Sequence, residues 1–354
     1  MVKEEIVAKI HEMNQRRMLF IVSIIIVIPI VAILSLSVAQ IKVGIIESFC
    51  IFIDGVMGVE PDNFMDHLKM YVVYENNTPR AIGAIFAGAT LAVGGAVLQN
   101  IIRNPLADPY TLGISSGALF GMVISVTTGF CILPFINDDY QQFVNSFVFA
   151  LIPTAVIVLV SMFKKVSPTM MILCGIATMY IFTACSTMIK YTMDPDAYAM
   201  IYTWSVGSVN NLQLKSIPKM AFGFLITIIP LWIWHSKIDV IAQGDNQAIT
   251  LGVNPNLMRI LCLVFISIGT SIIVCHTGTI GFVGLVAPHI ARRFVGSGCR
   301  QLIPASAALG GLMVLGSDVV MRLLEPGLPV GVMIALICSP IFIIILVKMK
   351  KNAW

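Results

Sequence analysis

Charged residues are scarce in this chain. Asp, Glu, Lys and Arg together make up 11% of the 354 residues, whereas a typical soluble domain carries roughly 25%. Hydrophobic residues make up 58%, and the mean hydropathy is +0.92. So few charges cannot cover the surface of a soluble protein, and the sequence therefore predicts an all-α integral membrane protein in contact with the lipid bilayer. The net charge of +4 does not indicate nucleic-acid binding.

Motifs for catalysis and for cofactor binding are also missing. The chain has no G-x-x-x-x-G-K-[ST] phosphate loop, so it does not bind ATP by that route. It has no H-E-x-x-H pattern. Its eight cysteines form no C-x-x-C pair and lie mostly in apolar runs, where small core residues are the usual explanation. We therefore expect no catalytic residue, no bound metal and no cofactor in this chain.

Long segments without charge are the most prominent feature that the chain does have. A spanning helix needs about 20 mostly apolar residues, and the charge-free runs have room for about ten. These spans belong to one domain over residues 18–347. They are predicted near residues 18–41, 80–102, 110–134, 143–163, 168–190, 219–235, 257–276, 279–295, 303–323 and 328–347.

Lys and Arg are concentrated at one set of span ends, and such residues tend to stay on the cytoplasmic side of a membrane. This bias places both termini, residues 1–17 and 348–354, in the cytoplasm. Two stretches are too polar to span and fall outside: the acidic loop 42–79, and the segment 191–218. Residues 239–256 form the longest polar stretch between spans on the inside.

Glycine and proline occur inside segments that are otherwise apolar enough to span. In the second span, glycines and alanines that recur three and four residues apart lead to Gln99 and give one helix face a groove for a neighbouring backbone. The run Thr277–Arg292 contains glycines, Pro288 and His289, which indicates close packing or a broken helix rather than a simple anchor. The histidine is expected to be a hydrogen-bonded structural residue. We predict packing roles for Gly88, Gly95, Gln99, Gly281, Gly284, Pro288, His289, Arg292 and Asp318.

Two further patterns allow both a structural and a functional interpretation. Asp318 and Arg322 are four residues apart, so they can pair on one helix face, either to support the structure or to dock a partner. Ala248, Leu251 and Gly252 have the spacing of a short amphipathic helix with a glycine C-cap. That helix is either an ordinary surface element or one that inserts into a groove on a partner.

Together these motifs resemble the FecCD family, the permease subunits of ABC importers for iron–siderophores, heme and vitamin B12. The matching pieces follow the family order from about residue 18 to the C-terminus, and an ordered series is far more specific than a single motif. They are Pro79-Arg80, the Gly/Ala helix ending in Gln99, Asn104–Pro109, Trp204–Ser208, Gly244–Val253, Gly278–Arg292, Asp318 with Arg322, and Leu328–Gly331.

The resemblance implies a type II importer permease with ten helices, in the cytoplasmic membrane of a bacterium or archaeon. It also implies a second copy of this permease or a close homologue, two ATPase subunits that bind ATP and Mg²⁺, and an extracytoplasmic substrate-binding protein. The residues that match the family's ATPase-coupling helices are Gly244, Asp245, Ala248, Leu251, Gly252 and Val253. Those that match the cytoplasmic gate are Asn104, Leu106, Ser167 and Thr169, and those of the external gate helix are Trp204, Gly207 and Ser208.

Arg80 and Arg322 match outer arginines that meet acidic residues of the family's binding proteins. Asn77 stands where the family commonly has a further arginine, so the resemblance implies a different docking geometry here. The expected activity is import of an iron(III)–siderophore chelate by alternating access. Import of heme or cobalamin is the alternative within the family. An ion-coupled transporter acting alone is the alternative outside it, with Asp318 as its candidate carboxylate.

Overall fold

The computed structural model describes residues 2–38, 41, 43–135, 138–164, 167–325 and 327–348. Regular structure within these residues is entirely helical, which confirms the all-α prediction. Residues 349–354 of the predicted cytoplasmic tail lie outside the described residues. In chain order the α-helices are α1 Val2–Ser37, α2 Ile45–Met57, α3 Phe64–Met70, α4 Thr78–Ile102, α5 Ile114–Thr128, α6 Asp138–Phe163, α7 Pro168–Tyr191, α8 Pro195–Val206, α9 Ile217–Ile233, α10 His235–Gln243, α11 Asp245–Thr250, α12 Pro255–Thr277, α13 Val283–Val295, α14 Cys299–Leu324 and α15 Val330–Lys348.

Seven helices in the described part of the chain are long and apolar enough to cross a membrane, namely α1, α4, α6, α7, α9, α12 and α14. The other three predicted spans contain α5, α13 and α15. With 15 and 13 residues, α5 and α13 extend only about 20 Å, less than the roughly 30 Å of a bilayer's hydrocarbon core. The number of ten spans stays a prediction.

Left-handed backbone positions explain why two of the helices are shorter than predicted. α5 lies between Gly113 and Gly129, whose φ angles of 85° and 65° suit glycine. Before α13, Gly278 has a φ of 67° and Phe282 a φ of 66°, so residues 278–282 form a non-helical entry. The predicted span 110–134 is therefore wrong at both ends, and the predicted span 279–295 is wrong at its start.

The segment 42–79, which is predicted to lie outside, is mostly helical in its described residues 43–79, and its prediction as a loop is wrong. It contains α2, α3 and the π-helical segment Tyr71–Asn77, through which α3 runs directly into α4. Acidic residues suggested a solvated loop, but at least one of them joins two helices. Lys69 Nζ in α3 donates to Glu47 Oε1 in α2 at 2.5 Å.

α4 lies at the centre of the bundle, almost entirely buried against α1, α9, α12, α13 and α14. Two glycine pairs bring backbones together. A Cβ on Gly88 would lie 2.0 Å from the carbonyl oxygen of Gly310, and a Cβ on Gly95 would lie 1.9 Å from that of Gly284. No side chain fits at either point, so glycine sets how closely α14 and α13 approach α4. Gly281 does not pack in this way, contrary to prediction, because it lies in the entry to α13 with open space around it.

We predict that Gly88→Ala lowers the unfolding free energy of the purified protein. Its methyl group overlaps the Gly310 backbone, and overpacking of this kind costs typically about 1–3 kcal/mol. Gly316→Ala in α14 is the matched control, because nothing lies within 4 Å of the position of its Cβ. Thermal unfolding in detergent should show a lower unfolding temperature for Gly88→Ala only. Equal stability of the two variants would contradict the glycine contact.

Candidate functional site

The segment that resembles a coupling element, and is predicted to lie in the cytoplasm, forms two short helices with a sharp bend. α10 and α11 meet at Gly244, whose φ of 137° is left-handed. Gly252, with a φ of 76°, ends α11. There the N–H of Val253 donates to the carbonyl of Ala248 at 2.8 Å, and that of Gly252 donates to the carbonyl of Ile249 at 3.0 Å. These two bonds form a Schellman cap, so the glycine acts as the helix stop that its position indicates.

Asp245 ties this segment to the bundle. Its two oxygens accept from Nη1 and Nη2 of Arg259 at 2.9 and 2.6 Å, and Oδ1 also accepts from Arg103 Nη2 at 2.9 Å. Arg259, fully buried near the start of α12, donates from Nε to the carbonyl of Ile101 in α4 at 3.0 Å. The hydrogen-bonded Arg259 guanidinium lowers the pKa of Asp245, so the carboxylate is ionised at neutral pH. Such a bidentate charge pair fixes orientation as well as adding energy.

The apolar surface of α11 is small and consists of two residues at its C-terminal end, beside exposed polar ones. Ile249 and Leu251 are 63% and 64% exposed, whereas Ala248 is fully buried. Beside them is a recess of about 590 Å³, lined by Ile249, Gly252 and, from the turn before α7, Ser167. The structure therefore brings one of the positions predicted for the cytoplasmic gate next to the segment that resembles the coupling element.

The other gate positions do not line this recess. Ser167 caps α7, its Oγ accepting from the N–H of Met170 at 3.2 Å, and Thr169 is exposed in the same turn. Asn104 lies just after α4, where its Oδ1 accepts from the N–H of Leu106 at 2.9 Å. Leu106 is 40% exposed. The predicted gate is thus divided between the loop after α4 and the first turn of α7.

Pro288 leaves one carbonyl of α13 without its helical partner, because proline has no N–H to donate. That carbonyl belongs to Gly284, and Gln99 Nε2 in α4 donates to it at 3.2 Å. Gln99 Oε1 in turn accepts from Arg292 Nη1 at 2.5 Å. A backbone carbonyl inside a membrane needs a partner within the protein. Gln99 in α4 thus supplies the hydrogen bond that the Gly284 carbonyl lacks because of Pro288 in α13.

Two more hydrogen bonds add to this contact between α4 and α13. Arg292 Nη2 donates to Asn100 Oδ1 at 3.2 Å. His289 Nε2 lies 2.9 Å from the carbonyl oxygen of Pro105, and because a carbonyl can only accept, Nε2 is the donor. The inner end of α4 and the loop that follows it are therefore fastened to α13 through the residues of the Gly278–Arg292 run.

The C-terminal end of α8, which resembles the external gate helix, rests on two other motifs. The N–H of Ser208 donates to the carbonyl of Thr277 at 2.7 Å, and the N–H of Gly331 donates to the carbonyl of Gly207 at 3.1 Å. A Cβ on Gly207 would lie 2.4 Å from the carbonyl oxygen of Thr279, so this approach requires glycine. The end of α12 and the start of α15 therefore form the seat of α8.

Trp204 lines a cavity of about 370 Å³ beside this seat, together with Met122, His276 and Thr277. Ile201 is the one residue of α8 that is buried. The helix is thus attached through its C-terminal junction and through Ile201 and Trp204, which pack against the core, an arrangement that suits an element required to move.

Arg80, Asp318 and Arg322 form a buried ion-pair cluster between α4 and α14. Arg80 Nε donates to both oxygens of Asp318 at 2.8 and 3.0 Å, and Arg322 Nη2 lies 3.1 Å from Oδ2. The three side chains are 8%, 0% and 5% exposed. The second positive charge has further acceptors, since Arg322 Nη1 donates to Asn77 Oδ1 at 3.1 Å and to the carbonyl of Val38 at 3.0 Å. Its buried Nε has no hydrogen-bond partner among the described residues.

This burial favours the structural interpretation of the Asp318–Arg322 pair. A side chain that docks a binding protein must reach solvent, and neither Arg80 nor Arg322 does so in this conformation. The docking role stays a prediction that requires the cluster to open. Asn77 belongs to the same cluster and donates to the carbonyl of Leu36 at 2.9 Å. An arginine at that position would add a third positive charge to a site that already holds two.

Three residues that matter here escape the sequence patterns: Arg103, Arg259 and Tyr110. The hydroxyl of Tyr110 accepts from the N–H of Ile280 at 3.1 Å and so supports the entry to α13. Arg259 reads as a flanking charge in the sequence, because its partner Asp245 lies across a bend outside the reach of helical spacing. One signal was available, since an arginine inside a predicted span needs a partner.

The chain matches known proteins over nearly its full length. The profile of the FecCD transport family matches residues 24–348. A protein of Methanocaldococcus jannaschii named as an ABC transporter permease is 32% identical, over 96% of this chain and 97% of that protein. The Fe(3+)-citrate import system permease protein of Bacillus subtilis is 34% identical, over 90% and 95%. A solved inward-facing metal-chelate type ABC transporter superposes with a TM-score of 0.80 at 26% identity, covering 93% of this chain and 99% of that one.

We predict that Asp318→Asn is strongly destabilising, because it leaves two buried guanidinium groups without a counter-charge. Removing one partner of a buried ion pair costs about 3–5 kcal/mol. Glu60→Gln is the control, since it removes one negative charge from an exposed position. Thermal unfolding in detergent should separate the two variants. Unchanged stability of Asp318→Asn would show that water reaches the two arginines, as a docking role needs.

Proposed function

This chain belongs to the FecCD transport family, and from that membership we propose that it carries an iron(III)–siderophore chelate across the cytoplasmic membrane. Its relatives are permease subunits of ABC transporters rather than enzymes, and it is a multi-pass membrane protein. ABC permeases work with ATPase subunits, so ATP and Mg²⁺ bind to a partner and not to this chain. The Fe(3+)-citrate permease of Bacillus subtilis, 34% identical to this chain, supports a ferric chelate as the cargo.

One structural observation carries the transport mechanism: α12 joins the coupling segment to the seat of the external gate helix. At its inner end Arg259 holds Asp245 of α11, and at its outer end Thr277 accepts from Ser208 after α8. These two α12 residues are about 27 Å apart at the helical rise of about 1.5 Å per residue. A single continuous helix therefore connects the surface that an ATPase would press to the helix that would open.

This connection supports alternating access by rigid-body motion. Binding of ATP would close a pair of ATPase subunits against Ile249 and Leu251 on the apolar surface of α11. The charge pair at Asp245 would pass that displacement to α12, because a bidentate pair resists rotation. α12 would then shift the seat of α8. Such a switch needs two packed states that partners bind differently.

The remaining partners in this proposal are a second permease chain and a substrate-binding protein. The recess beside Ser167 and Gly252 lies at the coupling surface. The weakly buried α8 lies at the opposite end of α12, where a second chain would complete the pathway and a binding protein would deliver the chelate. Contact between Arg80 or Arg322 and that protein would require their cluster to open.

The structure weakens the proposal of an ion-coupled transporter. That mechanism needs a carboxylate that can bind and release a cation or proton inside the membrane. Asp318, the candidate, is fully buried between two arginines that balance its charge. Heme or cobalamin stays the alternative cargo, because the contacts of α8, α11 and α12 do not involve the transported molecule.

The cargo can be tested in proteoliposomes that contain this permease, its ATPase and its binding protein. We expect ATP-dependent uptake of radioactive iron(III) as a chelate from a panel of citrate, catecholate and hydroxamate complexes. Hemin and cobalamin are included in the same assay. Uptake of hemin or cobalamin, with no uptake of any ferric chelate, would contradict the proposed cargo and identify that compound as the cargo. Uptake driven by an ion gradient without ATP would contradict the ABC mechanism itself.

The coupling surface can be tested with Leu251→Asp. A charge placed on the apolar surface of α11 should weaken docking of the ATPase and reduce uptake at least tenfold, which corresponds to about 1.4 kcal/mol. Met57→Asp is the matched control, because Met57 is 74% exposed on the outer helix α2. Uptake and ATP hydrolysis are measured for both variants. Normal uptake by Leu251→Asp would show that this surface does not couple.

A further inference from the structure

A cavity of about 660 Å³ lies between α1, the end of α9 and the start of α14, on the side of the predicted cytoplasm. It is separate from the recess at the coupling segment and from the cavity beside Trp204. Its lining contains Asn14, Arg17, Trp232, Arg300 and Gln301. None of the described residues that line it is acidic, so the cavity is positively charged.

The polar part of the cavity is equipped to bind an anion. Arg17 Nη1 donates to Gln301 Oε1 at 3.3 Å, which leaves most of the five N–H donors of this guanidinium available. The Arg17 side chain lies against Gly296, where an added Cβ would come within 3.2 Å of its Nη2. Arg300 is exposed at the same cavity. Two arginines that share a cavity match the oxygens of a phosphate group.

The apolar part of the cavity continues into the surface that faces the membrane. Met18 is 55% exposed at the point where α1 changes from charged to apolar, and Trp232 is 48% exposed on α9. Ile233 beside it is 64% exposed, and α1, α9 and α14 are all long and apolar enough to span. Trp232 Nε1 donates to the carbonyl of Arg300 at 3.1 Å. A tryptophan with a wet and an apolar side is typical of the membrane–water boundary.

We propose that this cavity binds an anionic phospholipid of the cytoplasmic leaflet. Arg17 and Arg300 bind its phosphate, and its acyl chains lie along Met18 and Trp232. Basic cavities between spanning helices on the cytoplasmic side suit such headgroups. The proposal rests on membrane insertion and on the predicted orientation, but not on the cargo or on ATP coupling.

The position of the site also connects it to the coupling segment. Cys299, the neighbour of Arg300, donates its N–H to Asp239 Oδ1 in α10 at 2.8 Å, and α10 leads directly into α11. A bound lipid would therefore brace α1, α9 and α14 next to the helix that precedes the coupling surface.

The test uses the full-length purified chain in a zwitterionic detergent, with phosphatidylglycerol or phosphatidylcholine added in steps. The unfolding temperature should rise as phosphatidylglycerol is added and should not change with phosphatidylcholine. In the double variant Arg17→Gln/Arg300→Gln the apparent affinity should fall roughly 30-fold. Each basic residue contributes about 1 kcal/mol, and every 1.4 kcal/mol changes the affinity about tenfold. The control Arg16→Gln/Arg293→Gln removes the same charge outside the cavity and should keep the wild-type affinity.

Four results would overturn the proposal. The first is equal stabilisation of the wild type by both lipids, and the second is equal loss of affinity in the two double variants. The third is an equal shift with inorganic phosphate, which would indicate a site for a free anion. The fourth is protection of an Arg300→Cys thiol from labelling when the ATPase is added without lipid, which would indicate a protein partner. If the double variant does not fold, Arg300→Gln alone should weaken binding about fivefold on the same scale.

Discussion

The close approach of other helices to α4 is the constraint on which the rest of this structure depends. α4 has no side chain at Gly88 and Gly95, and the carbonyls of Gly310 and Gly284 occupy the space. At these distances polar groups near the ends of α4 reach their partners. Gln99 meets the carbonyl of Gly284, and in the same way Arg80 meets α14 and the carbonyl of Ile101 meets α12. Larger residues at the glycines would move these helices apart and leave the polar groups unpaired in an apolar medium, which is costly.

The buried arginines impose a similar constraint, because each needs a partner inside the protein. Arg80, Arg259 and Arg322 are each largely or fully buried, and each pairs with a carboxylate. Arg259 and Arg322 also donate to backbone carbonyls. Such clusters contribute little net stability compared with apolar packing, but they are expensive to break. They therefore act as fixed points at which helices join. The segments that resemble moving parts, α8 and α11, are mostly exposed. Arg259 holds α11 at its start, whereas backbone hydrogen bonds hold the C-terminal end of α8.

The apolar surface of α11, the seat of α8 and the basic cavity lie on connected elements. The apolar surface of α11 and the seat of α8 are at the two ends of α12. The basic cavity at Arg17 and Arg300 adjoins the start of α14, which is joined to α10 by the hydrogen bond from the N–H of Cys299 to the Asp239 carboxylate. A membrane transporter driven from one side needs such continuity, because force applied to a surface helix can act at a distance only through packed or hydrogen-bonded contacts.

The sequence by itself determined the membrane environment, the helical class and the family. Low charge leaves no other medium for the chain, and the order of its glycine and proline motifs is specific. It also indicated the glycine stop of α11, because a helix end is a local property. Tertiary structure decided the pairings: Asp245 with Arg259, Gln99 with the carbonyl freed by Pro288, and Arg80 with Asp318. Their partners are 14, 185 and 238 residues apart, and spacing rules reach only across a turn or two of helix. For the same reason the sequence could suggest an exposed docking role for Arg80 and Arg322, while only the packing of α1, α4 and α14 showed that both are buried.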